Sequence, residues 1–256
     1  MIELQNISKT FRKNKDEVHA VKKVDLSIEP HSIVALIGPS GCGKSTLLNM
    51  IAGLYPPSGG KVFYDGEQVT TVNTHAGYMT QKDNLLPWRN VIDNVSLPLE
   101  LAGVSKEERY ERTRKMLAEV SLDGFEEKFS SELSGGMRKR ACLARMLLYE
   151  PQALLLDEPF AALDAQLRLA MHDLLLKLWT ENRQTILLVT HDLVEAVTLA
   201  DRIVVFSKRP ATVTYDEVVD IPRPRDVREV RFTKKFRDIY NSVWEHLKDQ
   251  YDEERI

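Results

Sequence analysis

The chain has 256 residues, of which 43% are hydrophobic and 29% charged, and its formal net charge is −3. These values predict a globular protein of one large or two small domains, and they argue against a dedicated nucleic-acid-binding protein, which is usually basic. No run approaches the roughly 18 apolar residues of a membrane span, and the N-terminus lacks the pattern of a signal peptide. Two cysteines provide no disulfide framework. We therefore expect a cytoplasmic protein.

The N-terminal part of the chain has the pattern of β-strands. Residues 1–30 predict two or three short strands, with a charged hairpin loop over 12–17. After a turn cluster at 55–60, residues 61–64 and 68–69 predict a further strand pair.

A glycine-rich segment is the most informative motif of the sequence. It reads G-x-x-x-x-G-K-[ST] and comprises Gly38, Pro39, Ser40, Gly41, Cys42, Gly43, Lys44, Ser45 and Thr46. The apolar run 33–37 before it predicts a buried strand, and 47–52 after it predicts a helix. Glycines at such a turn let the backbone approach phosphate oxygens, and the helix N-terminus then faces the anion. We expect Lys44 to reach the β- and γ-phosphates and Ser45 to place its hydroxyl on Mg²⁺.

The rest of the chain divides into a helical stretch, alternating elements and a tail. Residues 83–150 have a helical pattern, with a capping box that begins at Ser105 and a helix over 137–148. Buried strands at 153–156, 186–189 and 203–206 alternate with helices, which predicts a mainly parallel sheet interrupted by an inserted helical subdomain. From about residue 213 the pattern changes to a stiff extended linker, 221–225, and a terminal helix.

Two further motifs carry polar groups at the ends of elements. Asp157 and Glu158 follow an apolar strand, where adjacent carboxylates are costly unless they bind something. We expect Asp157 to hold Mg²⁺ through water and Glu158 to polarise the attacking water; the alternative is a pair of solvated loop acids. Ser134, Gly135 and Gly136 form a second possible anion-binding turn at a helix start, although ordinary N-capping by Ser134 explains that motif taken alone.

Together these motifs resemble the ATP-binding subunit of an ATP-binding cassette (ABC) transporter. The resemblance covers about residues 1–210 and rests on the phosphate loop, Leu-Ser-Gly-Gly at 133–136, Asp157-Glu158, Ala-Leu-Asp at 162–164, His191 and Gln81. It implies an α/β fold: a P-loop NTPase ABC-type cassette with a RecA-like core, an antiparallel β subdomain and an inserted helical subdomain. The corresponding division is 1–82 and 151–212 for the ATP-binding core with its β subdomain, 83–150 for the helical signature subdomain, and 213–256 for the C-terminal linker and helix.

The resemblance also implies a role for each motif residue. ATP and Mg²⁺ are the implied ligands, with Phe11 stacked on adenine and Gln81 joining Ser45 and Asp157 at the metal. Glu158 would be the catalytic base and His191 would contact the γ-phosphate. Two subunits would sandwich ATP head to tail, with Ser134, Gly135 and Gly136 of one copy covering the phosphate loop of the other. Asp164 would connect the two sites.

The sequence is more specifically similar to importers of the nitrate, sulfonate and taurine type. The similarity lies in residues 38–43, 84–89, 133–138 and 222–225. It implies a peripheral subunit on the cytoplasmic face of the membrane, paired with a second nucleotide-binding subunit, a transmembrane permease and an extracytoplasmic solute-binding protein, without nucleic acid. Leu85, Leu86 and Trp88 form a candidate docking loop for the permease, which we favour over the alternative that they belong to the core of the helical subdomain.

Two alternative functions use the same motifs. A soluble ABC ATPase could act on chromosomes or ribosomes; however, chromosome-type members insert a long coiled coil and translation-type members carry two cassettes. Here the residues between Lys44 and Asp157 show no sustained heptads, and the chain carries one cassette. The other alternative is a module that binds ATP without turnover, against which Glu158 argues. Neither the solute, nor the choice between homodimer and heterodimer, nor the roles of His31 and the C-terminal helix follow from the sequence; a surface turn accounts for His31.

Overall fold

The computed structural model describes residues 1–13, 16–248 and 250. The strands are β1 (Ile2–Lys13), β2 (Asp16–Ile28), β3 (Ile33–Ile37), β4 (Gly59–Tyr64), β5 (Glu67–Gln68), β6 (Ala76–Met79), β7 (Ala153–Asp157), β8 (Thr185–Val189), β9 (Arg202–Phe206) and β10 (Val213–Val218). The α-helices are α1 (Lys44–Ile51), α2 (Val91–Val95), α3 (Leu97–Leu101), α4 (Lys106–Glu119), α5 (Gly135–Tyr149), α6 (Ala165–Asn182), α7 (Leu193–Leu199) and α8 (Lys234–Lys248).

Two sheets form the framework. The larger has six strands in the order β10-β9-β3-β8-β7-β6, and all its neighbouring strands are parallel except β10, which is antiparallel to β9. The smaller is antiparallel, with four strands in the order β2-β1-β4-β5. The predicted parallel sheet and N-terminal strands are therefore confirmed. The N-terminal strands are longer than expected, since β1 and β2 both extend into the predicted loop over 12–17.

The central strand β3 separates two hydrophobic cores. Successive side chains of a strand point to opposite faces, and Val34 and Leu36 accordingly pack with α1 and the antiparallel sheet. Ile33, Ala35 and Ile37 pack on the other face with residues from the helices. Both faces are covered, which explains why β3, β7 and β8 are buried throughout and do not alternate between apolar and polar residues.

The predicted helical stretch contains α2 to α5, which pack into the same core as the large sheet. Serine caps begin the two longer helices: the hydroxyl of Ser105 accepts from the backbone N–H of Glu108 at 3.3 Å, and that of Ser134 accepts from Met137 at 3.2 Å. Each bond satisfies one of the free N–H groups of a first turn. The helix starts predicted from these serines are confirmed.

The tail differs from the predicted linker. Val213–Val218 is an edge strand of the large sheet, and its alternation of half-buried and exposed residues fits that position. Arg225 is buried and donates to the carbonyls of Thr198 at 3.1 Å and Ala200 at 2.7 Å, at the end of α7. Burial lowers the pKa of Arg225 to about 10. Residues 213–226 are thus fixed to the core, because backbone carbonyls at a helix end compensate the guanidinium. The terminal helix is confirmed as α8.

The fold brings the chain's polar motifs to one edge of the large sheet. The carboxyl ends of β6, β7, β8 and β3 are adjacent because these strands are parallel and neighbours in that order. In open α/β sheets ligands bind at this edge. The phosphate loop, Gln81, Glu158 and His191 all follow these strand ends.

Candidate active site

The phosphate loop joins β3 to α1 and packs tightly against the rest of the fold. Gly43 has φ +131°, and a Cβ atom there would lie 2.6 Å from the carbonyl oxygen of Ala20. A Cβ atom on Gly38 would lie 2.8 Å from the carbonyl oxygen of Phe206. Contacts this short exclude side chains at both positions, so glycine is required for the loop to reach its place between β2 and β9.

Lys44 is a buried cation inside this loop. Its Nζ atom donates to the carbonyl oxygens of Gly38 at 2.7 Å and Pro39 at 2.9 Å, and lies 3.7 Å from the Sγ atom of Cys42. A buried charge needs compensation, and an anionic ligand supplies more of it than carbonyl dipoles do. A buried ammonium beside the N-terminus of α1 is an arrangement suited to phosphate.

A cavity of about 200 Å³ opens at the loop. Its lining residues are Ser40, Gly41, Gly43, Lys44, Ser45, Thr46, Gln81, Glu158 and Val189. Gln81 and Glu158 arrive from β6 and β7, so the structure brings together groups that are far apart in sequence. Polar groups that converge in a concave site are what a substrate-binding pocket requires.

Asp157 ends β7 beside Ser45. Its carboxylate is buried. Burial raises the pKa of Asp157 above its ordinary value, with Glu158 acting in the same direction, while the Ser45 hydroxyl and the positive charges of Lys44 and Lys139 oppose the rise. The carboxyl group is thus held where a cation would stabilise its ionised form.

The oxygen donors of Ser45, Gln81 and Asp157 suit a hard cation. Hydroxyl, amide and carboxylate oxygens are ligands of Mg²⁺, which also keeps waters or phosphate oxygens in its shell. Within the part of the chain that the structure describes, no cluster of three or more His, Cys, Asp or Glu side chains forms a metal site. A metal at these residues would therefore depend on oxygen ligands from phosphate or water. The chemistry of the donor set fits Mg²⁺ bound together with a nucleotide.

Glu158 lies between Gln81 and His191. The Nε2 atom of Gln81 donates to Glu158 Oε2 at 3.3 Å, and His191 Nδ1 lies 3.4 Å from Glu158 Oε1. The backbone of Glu158 has φ +50°, and its N–H donates to the carbonyl of Val189 at 2.9 Å. Such a left-handed residue is uncommon and is held by its surroundings. The carboxylate is positioned at the cavity, where it could accept a proton from water.

Phe11 lies on the β1–β2 hairpin, next to Tyr55. The two rings meet edge to face with centroids 5.7 Å apart. Burial raises the pKa of the Tyr55 hydroxyl, and Thr46 and Asn49 of α1 oppose that rise. The Lys9 Nζ atom lies 5.3 Å from the Phe11 ring centroid and 4.7 Å from that of Tyr55. Tyr55 therefore connects the aromatic ring predicted to bind adenine with the end of the phosphate loop.

Ser134 and Gly136 begin α5 on the inserted region. Gly135 lines another cavity, of about 490 Å³, together with Gln81, Asp83, Arg138 and Ala162. A Cβ atom on Gly135 would meet its nearest neighbour at 3.8 Å, so no contact with the described residues requires glycine there. Asp164, two residues after Ala162, caps α6 and accepts from the N–H of Leu167 at 2.9 Å.

The sequence analysis missed the residues that support these groups. Lys139 is buried beside the Gln81 backbone, and His172 and Glu195 form a buried pair with Nε2 and Oε2 3.7 Å apart. Glu195 also lines a cavity of about 30 Å³ with Glu158 and His191. A signal existed for Lys139, because it occupies the first position of a buried i, i+3, i+4, i+7 stripe that continues with Cys142, Leu143 and Met146.

The chain is similar to known proteins along most of its length. The family described as "ABC transporter" matches residues 21–161. The taurine import ATP-binding protein of Burkholderia thailandensis is 39% identical over 251 residues, 96% of each chain. The one of Pseudomonas putida is 45% identical over 213 residues, 83% of this chain and 80% of that protein. An uncharacterised ABC transporter ATP-binding protein of Methanocaldococcus jannaschii is 41% identical over 240 residues, 94% of this chain and 90% of that protein.

A solved structure is similar along most of the chain. A dimeric ATP-binding cassette in a post-hydrolysis state, bound to ADP and Pi, superposes with a TM-score of 0.80 and 32% identity, covering 87% of this chain and 100% of that one. The chain belongs to the ABC transporter family, and it is an ATPase with the P-loop cassette fold. Among the described residues, none of the helices combines the length and apolar character that crossing a bilayer needs.

Proposed function

We propose that the residues around the phosphate loop bind and hydrolyse MgATP in the way the sequence motifs predict. Residues 38–46 cradle the phosphates, with Lys44 as their cation. Ser45, Gln81 and Asp157 hold Mg²⁺, which when bound neutralises phosphate charge. The exchange of Gly38 and Pro39 carbonyls for phosphate oxygens gives Lys44 a compensating anion. Phe11 stacks on adenine.

Glu158 is the catalytic base in this proposal. The observation that carries it is the position of its carboxylate, at the phosphate cavity and within 3.3 Å of Gln81 and 3.4 Å of His191. Glu158 accepts the proton of the attacking water, while His191 contacts the γ-phosphate. The hydrogen bond from Gln81 on one side and the adjacent His191 ring on the other hold the carboxylate in place, which is a condition for efficient proton transfer.

Replacement of Glu158 by glutamine tests this role. A positioned base contributes about 10²–10⁴ in rate, so Glu158→Gln should lower kcat by that factor and keep ATP binding. Glu150→Gln is a matched control, since Glu150 also has a left-handed backbone, with φ +52°, but lines a different cavity. Phosphate release and binding of a fluorescent ATP analogue measure the two effects. Near-normal turnover by Glu158→Gln would refute the assignment.

We further propose that the chain energises import of a small solute through a membrane permease, as a peripheral subunit on the cytoplasmic face. The similarity to taurine import ATP-binding proteins supports a sulfonate, nitrate or related small solute. A second copy of this chain and an extracytoplasmic solute-binding protein complete the proposed assembly. Closure on ATP and reopening after hydrolysis would move a docked permease segment and so alternate access to the solute path.

An apolar groove provides the proposed permease contact. It has a volume of about 540 Å³ and is lined by parts of β6, α3 and α5, with Leu101 81% exposed. Of the candidate docking loop, Leu85 is buried in the hydrophobic core and so belongs to the helical packing. Trp88 is 72% exposed. An exposed apolar groove and an exposed large aromatic residue are both typical of protein interfaces.

Co-purification with the permease encoded beside this chain tests the transport proposal. We expect Leu101→Asp or Trp88→Asp to reduce recovery of the chain with a tagged permease by about tenfold, because an interface hot spot contributes 2 kcal/mol or more. Val218→Asp is the control, since Val218 is 69% exposed on the edge strand β10. ATP binding should persist in all three. If the chain never co-purifies and its ATPase instead responds to DNA or ribosomes, the transport proposal fails.

The solute class has a separate test. A deletion strain should lose uptake of one sulfonate, nitrate or related small solute, and the wild-type chain should restore it. Unchanged uptake of all of these would refute the solute class and leave the ATPase assignment in place.

A further inference from the structure

Lys139 is a buried lysine on α5 that faces the backbone near Gln81. Its residue exposure is 7%, and its Nζ atom donates to the carbonyl oxygen of Gln81 and, at 3.3 Å, to that of Thr80. The same Nζ atom lies 3.8 Å from Asp83 Oδ1, which has no hydrogen-bond partner. A buried ammonium is costly unless it is paired. Two carbonyls and one carboxylate of a single segment provide the pairing.

The neighbouring residue strengthens this connection. Arg138 Nε donates to Asp83 Oδ2 at 2.9 Å, and Arg138 Nη1 donates to the carbonyl of Leu133. Two consecutive cations of α5 thus hold residues 80–83. Because α5 begins with Ser134 at its N-cap, the same helix start carries both the signature motif and the attachment of the Gln81 segment.

We infer that Lys139 is a positioning residue for Gln81, through which the position of α5 sets the geometry of Gln81 at Glu158 and the metal donors. The path consists of contacts: α5 holds the Gln81 carbonyl through Lys139, and the Gln81 amide donates to Glu158 Oε2 at 3.3 Å. This inference rests on the proposed role of Gln81 in ATP hydrolysis. A displacement of α5 when a second subunit closes on Ser134 would then reach the catalytic carboxylate.

The positive charge of Lys139 distinguishes this role from simple packing. A methionine has similar length and would fill the same space without the desolvation cost of a charge.

Variants of Lys139 test the inference in the full chain. Lys139→Met should lower kcat about 10–100-fold, as is typical when a group supporting a metal ligand is lost, and leave KM for ATP within about threefold. Lys139→Arg keeps the charge and should recover most of the activity. Arg140→Met is the matched control, because Arg140 makes an equivalent cation-to-carbonyl contact from α5, to Val120 at 2.8 Å and to Ser121. It should retain kcat.

Binding provides a readout independent of turnover. In a Glu158→Gln background, the Mg²⁺ concentration that half-saturates the Mg²⁺-dependent part of ATP binding should rise about tenfold with Lys139→Met, and stay unchanged with Arg140→Met. A lysine with a packing role alone would not alter the Mg²⁺ requirement. If Lys139→Met does not fold, Lys139→Gln retains a hydrogen-bond donor without the charge and is measured in its place.

A double-mutant cycle separates the inference from the function on which it rests. If Lys139 acts through Gln81, the pair Gln81→Ala and Lys139→Met should lose no more activity than the stronger single variant. Losses that multiply would overturn the positioning role and leave the role of Gln81 standing. If Gln81→Ala alone has no effect on kcat or Mg²⁺ dependence, the proposed role of Gln81 fails, and the inference fails with it. Equal losses in Lys139→Met and Arg140→Met would show only general damage to α5 and would also overturn it.

Discussion

The Phe11 side chain on the β1–β2 hairpin is packed against neighbouring side chains. Tyr55 contacts its ring edge to face, and the Lys9 ammonium lies near both rings and donates to the carbonyl of Pro56. Cation–π and aromatic contacts of this kind restrict the orientation of a ring. These contacts restrict the ring that we propose to stack on adenine, and such pre-orientation would lower the entropy lost on binding a base.

Removal of the Phe11 ring should weaken ATP binding and spare the chemical step. An aromatic contact contributes about 0.5–1.5 kcal/mol, so Phe11→Ala should raise KM for ATP by up to about tenfold at nearly constant kcat. Phe125→Ala is a suitable control, because Phe125 is 37% exposed against 40% for Phe11 and lies after α4. Steady-state kinetics measure both variants. A large fall in kcat with unchanged KM would contradict a role in adenine binding.

Site residues that are contiguous in sequence could be predicted, and the residues that hold them in place through tertiary contacts could not. The phosphate loop is a single segment, so its glycines and Lys44 specify their own geometry. Lys139 and Tyr55 act through contacts that exist only after folding, and neither residue type is diagnostic alone. His31, to which the sequence assigned no function, has a structural role. Its backbone N–H donates to Thr185 Oγ1 at 3.0 Å, as part of the turn before β3.

At the level of elements, an ion-pair network joins the start of the inserted helices to α3 and α4. Arg89 binds Glu100 with two bonds, from Nη1 at 2.9 Å and Nη2 at 3.1 Å, and Arg109 Nη2 lies 3.3 Å from the same carboxylate. Two-bond arginine–carboxylate pairs are stronger and more directional than single contacts. The hydrogen bond from Arg89 is the main cause that lowers the pKa of Glu100.

This lowered pKa predicts how stability depends on pH. The pair's contribution is fully present above the ordinary glutamate value of 4.5 and is lost as pH falls through the lower pKa of the folded state. Near neutral pH, Glu100→Gln should reduce the free energy of unfolding by about 0.5–1 kcal/mol, and the difference should close in acid. Urea unfolding at several pH values measures it. Glu111→Gln should show a smaller effect, because the Glu111–Lys115 pair is exposed to solvent. A difference independent of pH would rule out the ionic cause.

Strands with an uninterrupted apolar run were predictable, whereas the edge strand and the anchor of the tail were not. Apolar runs specified β3, β7, β8 and β9 because those strands are buried on both faces. Strand β10 was missed although its residues alternate, because an edge strand is only half buried. The anchoring of the tail depends on Arg225, and arginine is a residue type that sequence analysis places at the surface.

At the scale of the whole molecule, Gly135 lies at an open position of the α5 start. A Cβ atom there would meet its nearest described neighbour at 3.8 Å, so the backbone at this position is open to a ligand or partner. The solved relative that superposes on this chain is a dimer bound to ADP and Pi. A phosphate loop covered by Ser134 and Gly136 of a second copy would be shielded from water on both sides.

The last prediction is that ATP drives this pairing and that a bulky cation at Ser134 prevents it. With hydrolysis blocked by Glu158→Gln, ATP and Mg²⁺ should convert monomer to dimer in light scattering. The additional change Ser134→Arg should abolish the dimer, because the side chain would fill the partner's phosphate site. Ser105→Arg loses the equivalent helix cap, worth about 1 kcal/mol, on α4. It should dimerise normally, which separates capping from contact. Equal dimerisation of the Ser134→Arg and Ser105→Arg variants would show that the signature segment does not contact the nucleotide of a second copy.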